Sequence, residues 1–114
     1  YHAAFETMEV QSKVRRPIIP AECEHNAHMY YLLLPNLDTR TKFIRRLAEH
    51  GIHAVFHYVP LHSSPMGKSL GNVSGELLHT ADLSERLVRL PLWLGMEEHL
   101  PFIIDVVQDS LEDI

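Results

Sequence analysis

The sequence contains one cysteine, Cys23, so no disulfide can form within the chain. A lone thiol fits a reducing compartment, and a cytoplasmic location is the expectation. No apolar run approaches the ~20 residues that a membrane-spanning helix needs, so no membrane partner is expected. The opening Tyr1-His2-Ala3-Ala4-Phe5 has neither the basic start nor the apolar stretch of a secretory leader. Basic charge is also scarce: ten Lys and Arg stand against fifteen Asp and Glu, for a net charge of −5. A field of that sign repels phosphate backbones and argues against a nucleic-acid partner. The short basic clusters, Lys13, Arg15, Arg16 and then Arg40, Lys42, Arg45, Arg46, read as a solvated linker and a solvated helix face. No phosphate-cradling glycine motif and no Gly-x-Ser-x-Gly nucleophile elbow is present. The three lysines, Lys13, Lys42 and Lys68, fall in a linker, on a helix surface and in a glycine-rich loop. None has a setting that would depress its pKa for Schiff-base chemistry, so no catalytic lysine is assigned.

What remains is the composition of an ordinary globular domain, 46% apolar and 22% charged over 114 residues. A chain of this length forms one domain and buries roughly two-thirds of its unfolded surface. It does not begin with Met, and it reads as either processed or a fragment of something longer. Tyr1, Phe5 and Met8 share a helical face, the tail of a longer helix. Pro17 and Pro20 then bracket Ile18-Ile19, and each proline extends its predecessor. Residues 1–24 are therefore assigned to a helix tail and linker, and 25–114 to the domain proper.

Residues 28–34 form an almost continuous apolar run, the mark of a strand covered on both faces. Asp38 is the expected N-cap of a helix whose inner face is Phe43, Ile44, Leu47 and Ala48, and Gly51 is placed to end it. Residues 54–59 read as a second strand stopped by Pro60. A proline- and glycine-bearing loop follows to residue 79, long enough to be functional or mobile. Thr80 caps a short helix to Val88, residues 89–93 form a third strand, and a last helix runs from about Glu97 to Leu111. Pro101 is tolerated in its first turn. The simplest assembly puts the third strand between the first two and antiparallel to both. The expected fold class is thus α/β (α+β): a split β-α-β domain with a three-stranded antiparallel sheet and flanking helices.

Nine histidines stand out. His25/His28 and His50/His53 are His-x-x-His pairs, but three positions apart on a strand point to opposite faces, and the second pair straddles a helix-ending glycine. Neither has the i, i+4 helical geometry of a metal motif, and no metal site is assigned. The denser group is Phe56-His57-Tyr58-Val59-Pro60-Leu61-His62, at the end of the second strand. Two readings stay open for it. Either His57, Tyr58 and His62 form a polar lip held by the sheet and reaching into a cleft, or Phe56 and Tyr58 bury one face and leave the histidines solvated.

Three stretches carry a family resemblance. They are Ile19-Pro20-Ala21-Glu22-Cys23-Glu24-His25-Asn26-Ala27-His28-Met29-Tyr30-Tyr31-Leu32, then 51–62 with its Tyr-x-Pro-Leu-His core, and Ser84-Glu85-Arg86-Leu87-Val88-Arg89-Leu90-Pro91-Leu92. In order and spacing they resemble the C-terminal small domain of the DegT/DnrJ-type sugar aminotransferases, fold-type-I enzymes. The resemblance implies a parent that holds pyridoxal phosphate on a lysine of a large domain absent here. It implies transfer of an amino group from glutamate to the 4-keto carbon of a dTDP-4-keto-6-deoxysugar, usually in a homodimer. It implies that His57, Tyr58 and His62, with His28 as a weaker candidate, help bind the sugar nucleotide. On this reading the chain alone binds no cofactor and is inactive. An apolar patch is expected near Tyr1, Phe5 and the 56–62 lip, where a large domain would sit. The rival from another class is a free-standing α/β module that binds or senses a small ligand.

Overall fold

A computed structural model describes residues 1–114. The elements run α1 (Glu6–Val10), β1 (Tyr30–Leu33), α2 (Leu37–Glu49), α3 (Pro65–Leu70), α4 (Leu78–Arg86), β2 (Leu87–Leu90) and α5 (Leu100–Glu112). β1 and β2 pair antiparallel, with Tyr30 opposite Leu90 and Leu33 opposite Leu87. The mixed helix–sheet class agrees with the sequence, but the sheet has two strands rather than three.

The expected second strand contracts to one bridge, Val55 to Arg89. The order across the sheet is nevertheless the expected one, with β2 between β1 and Val55 and antiparallel to both. The contraction has a hydrogen-bond cause. Val55 and Arg89 exchange both backbone bonds, at 3.2 and 2.7 Å. The next bonded pairs of such a ladder lie two residues away, His57 with Leu87 and His53 with Pro91. The Leu87 N–H already donates to the Leu83 carbonyl and closes α4, and Pro91 has no N–H. The ladder therefore stops on both sides of Val55. At the other edge Arg15 exchanges two bonds with Leu33, at 2.9 and 3.0 Å.

One face of the sheet, Leu32, Leu34, Val88 and Leu90, is buried against Phe43 and Leu47 of α2 and Ile103, Val107 and Leu111 of α5. Each such side chain contributes roughly 1.5–3 kcal/mol by leaving water. Phe5, Met8 and Val14 belong to the same core. Tyr1 stacks on Phe5 at 5.8 Å and its hydroxyl donates to the Pro91 carbonyl at 2.8 Å. Burial pushes the Tyr1 phenol up to about 12. Phe5 has no exposure at all and is closed into the core, but beside Tyr1 an apolar pocket lined by Pro17, Ile19, Met29, Tyr30 and Leu92 stays open, as does the 56–62 lip.

Local chemistry sets the boundaries. α2 is capped by Asn36 rather than Asp38: the Asn36 side chain accepts the Thr39 N–H at 2.8 Å. Asp38 instead pairs with Lys42 one turn on, at 2.7 Å. Gly51 ends α2 at φ +76°, in the left-handed region that suits glycine. α4 begins at Leu78 with no side-chain cap, so Thr80 lies inside it. The 61–79 stretch, expected to be without structure, holds α3.

Candidate functional site

Past Val55 the chain leaves the sheet and turns at Pro60, whose carbonyl accepts the Ser63 and Ser64 N–H groups at 3.1 and 3.0 Å. Ser64 then caps α3. Its hydroxyl oxygen accepts the Gly67 N–H at 2.9 Å and donates to the Leu61 carbonyl at 3.0 Å. A β carbon on residue 67 would lie 1.6 Å from the Leu61 oxygen. Only glycine lets α3 close on the lip this tightly.

The lip carries three of the four expected site residues. His57 is half-buried, with Nδ1 enclosed and without a partner. Its ring meets the Tyr58 ring edge-on at 4.6 Å. Tyr58 is 69% exposed and Phe56 about half exposed. The alternative in which these aromatics are buried and the histidines solvated is therefore not the arrangement found: His57 turns inward and the aromatics face out. His62 is half-buried and lines a wide cleft of about 730 Å³ with Leu61, Met66, Leu70 and Leu77. His28 is not brought to this group. It is exposed just before β1, bonded to the Asn26 side chain at 2.6 Å. By register it faces position 92 while His57 faces Leu87. That separates the two by ~16 Å along the strands alone.

A second cleft, of about 300 Å³, opens on the other side of the lip between α2 and α4, and Tyr58 and Phe56 line it with Arg40, Ser63, Ser84 and Glu85. The Arg40 guanidinium lies over the Phe56 ring, 5.2 Å from its centroid. Its Nη1 donates to the Ser84 carbonyl at 3.3 Å, and its Nε is enclosed without a partner. Burial pulls the Arg40 pKa below its ordinary value, with Glu85 partly offsetting this. Sequence reading placed Arg40 on a solvated helix face. The missed signal is its spacing: positions 40, 43, 44, 47 and 48 form a single i, i+3, i+4, i+7, i+8 stripe, so Arg40 continues the inward face of α2.

The lysines do not fit a Schiff-base site. The Lys13 ammonium donates to the Leu111 and Glu112 carbonyls at 2.8 and 3.3 Å. Lys42 is exposed and paired with Asp38. Lys68 is exposed on α3. Nowhere do three His, Cys, Asp or Glu side chains converge as metal ligands would. No helix is long and apolar enough to cross a membrane.

The sequence profile of the DegT/DnrJ/EryC1/StrS aminotransferases matches residues 1–108. The chain belongs to that family. An uncharacterized protein of Methanocaldococcus jannaschii, MJ1066, is 33% identical over 112 residues, covering 94% of this chain and 28% of that protein. Among solved structures, Helicobacter pylori PseC, an aminotransferase involved in the biosynthesis of pseudoaminic acid, superposes with a TM-score of 0.83 at 18% identity. That match takes in all of this chain and 30% of PseC. The putative sugar aminotransferase Spr1654 of Streptococcus pneumoniae, in its PMP form, gives 0.73 at 22% identity over 98% of this chain and 29% of its own. The chain thus spans under a third of the length of these relatives, and at these identities the solved structures establish a shared fold.

Proposed function

We propose that this chain serves as the C-terminal small domain of a pyridoxal-phosphate-dependent nucleotide-sugar aminotransferase. Residues 1–24 would lead in from a large domain and 25–114 would form the small domain. The observation that carries the reading is the continuous family match along residues 1–108, joined to a fold that corresponds to under a third of sugar-aminotransferase chains. Spr1654 is described in PMP and PLP forms, which supports the cofactor. Pyridoxal phosphate supplies an electron sink when bound. Because no lysine here fits that role, the Schiff base belongs to the large domain, and this chain alone binds no cofactor and does not transaminate.

The lip is this chain's contribution to the cleft. His57 and Tyr58, locked ring to ring, and His62, five residues further along, offer hydrogen bonds and a stacking surface to a sugar nucleotide. His28 is the weaker candidate, since it stands apart from the lip. The amino group moves from glutamate to the 4-keto carbon of a dTDP-4-keto-6-deoxysugar. The Ala21–His28 run and the stretch Val55-Phe56-His57-Tyr58-Val59-Pro60-Leu61-His62-Ser63-Ser64-Pro65 favour dTDP-4-amino-4,6-dideoxygalactose as product, for enterobacterial common antigen or lipopolysaccharide synthesis. The partners are the enzyme's own large domain and a second subunit, in the cytoplasm.

The test is His57→Ala and His62→Ala in the full-length enzyme. Loss of a hydrogen bond to substrate raises KM for the sugar nucleotide by about tenfold. Unchanged KM and turnover in both variants would remove the lip from the binding site.

A further inference from the structure

We infer that the cleft between α2, α4 and the lip is a diphosphate subsite, in which Arg40 takes phosphate oxygens of a nucleoside-diphosphate ligand and Tyr58 lies against the ring it carries. This rests on the sugar-nucleotide reading above and adds a residue and a chemical role to it.

The first ground is charge. Arg16, Arg45, Arg46 and Arg86 each have a carboxylate partner. Arg15, Arg40 and Arg89 have none within 4 Å; Arg15 is exposed, Arg40 and Arg89 are half-buried with Nε enclosed, and of the three only Arg40 lines the cleft beside the lip. A cation withdrawn from water without a counterion is costly unless something else supplies the negative charge. Facing Phe56 offsets part of that cost. It does not neutralise the charge.

The second ground is geometry. The Phe56 ring fixes the guanidinium plane, and the bond to the Ser84 carbonyl fixes its rotation. With Nε enclosed, the Nη edge is the one left to a ligand. Paired N–H groups in a fixed plane match two oxygens of a phosphate. The hydroxyls of Ser63 and Ser84 already donate to the Pro60 and Ala81 carbonyls, so Arg40 is the donor that decides recognition here. The rest of the wall is apolar and aromatic, with Tyr58 at the exposed mouth. A cation beside an open aromatic ring suits a phosphate that carries a heterocycle. An amino-acid carboxylate would leave that ring unmatched. The space, about 300 Å³, is at the lower end for small-molecule clefts and takes the diphosphate with the ring outermost.

Glu85 lines the same cleft, and its charge opposes an anion. It sets the affinity without closing the site, so its neutralisation tightens binding.

The experiment uses the full-length protein and thymidine diphosphate. Wild-type protein is treated with phenylglyoxal, and arginine modification is read by mass spectrometry. Thymidine diphosphate and inorganic pyrophosphate are expected to protect Arg40, while thymidine and glutamate do not. Arg45, 84% exposed at its side chain, is the unprotected control. In titrations, Arg40→Met weakens thymidine diphosphate by at least about tenfold and leaves thymidine unchanged. Arg40→Lys falls between, and Glu85→Gln tightens binding.

Modification of Arg40 that is the same with and without thymidine diphosphate overturns the subsite, as does full affinity in a folded Arg40→Met protein. Protection by glutamate instead would assign the cleft to a carboxylate and overturn it too. The protection arm decides alone if Arg40→Met does not fold. If Arg40 is unprotected while His57→Ala and His62→Ala still raise KM for the sugar nucleotide, the subsite falls and the proposed function stands. If wild-type protein binds no nucleoside diphosphate, both fall.

Discussion

Glu9 holds Arg16 at two points: one carboxylate oxygen accepts the Arg16 backbone N–H at 2.7 Å, and the other accepts its Nε at 2.8 Å. The contact fixes the chain as it turns from α1 toward the edge of the sheet. Hydrogen bonds from the Arg16 backbone and side chain pull the Glu9 pKa below its ordinary 4.5. A carboxylate depressed in the folded state adds stability above its unfolded pKa and loses it as pH falls through the folded pKa. Glu9→Gln is therefore expected to melt earlier than wild type at neutral pH. The difference should shrink below about pH 4.5 and vanish once wild-type Glu9 is protonated. Melting curves of both proteins from pH 7 to pH 2 check this. A gap that stays constant to pH 2 contradicts it.

Phe5 lies in a stretch that reads as the tail of a helix, yet its side chain is fully buried in the core. Phe5→Ala should cost roughly 3–5 kcal/mol, the range for emptying a buried aromatic site. Val10, 80% exposed at the end of α1, the helix that Phe5 precedes, is the comparison. Val10→Ala should change stability by less than about 0.5 kcal/mol. Urea unfolding of the two variants separates a core role from a tether. Equal, small effects would mean the segment does not support the fold.

Gly67→Ala should loosen α3 from the lip, since a β carbon there would overlap the Leu61 carbonyl. The neighbour is backbone, which cannot step aside as a flexible side chain would. The expected cost is roughly 1–3 kcal/mol, with faster proteolysis between Leu61 and Leu78. Gly71→Ala, whose nearest contact would be an ordinary 3.5 Å, should leave the digestion pattern unchanged.

Lys13 reaches the last carbonyls of α5. Lys13→Met should cost about 0.3–1 kcal/mol, the scale of a cation at a helix C-terminus. Hydrogen exchange should report it as faster exchange in the last turn of α5. Faster exchange across the whole chain would instead mean a general loss of stability.

The sequence carries its apolar periodicity plainly, and α2, α5 and β1 follow from it, whereas β2 falls at Leu87–Leu90, two residues ahead of the expected 89–93, because α4 closes at Arg86 rather than Val88. Gly51 and Pro101 act where local rules put them. The second strand is misread because residues 54–59 have the right composition but no partner beyond the single Val55–Arg89 bridge. That depends on the Leu87 N–H being spent on α4 and on Pro91 having none, facts of pairing between distant segments. The N-cap of α2 goes to Asn36 because its side chain reaches the Thr39 N–H, while Asp38 is drawn to Lys42. His57 and Tyr58 were legible as a pair because they are neighbours in sequence. Arg40 was not, because its role depends on Phe56 folding back across α2. His28 was grouped with the lip through resemblance alone, and the register sets it at the far end of the sheet.

The most direct test of the central claim is transamination by the full-length protein that contains this chain, given pyridoxal phosphate, glutamate and a dTDP-4-keto-6-deoxysugar. The expected result is a dTDP-4-amino sugar and 2-oxoglutarate in equal amounts, with loss of the product when glutamate is omitted. No amino sugar from a folded, cofactor-loaded protein would contradict the account.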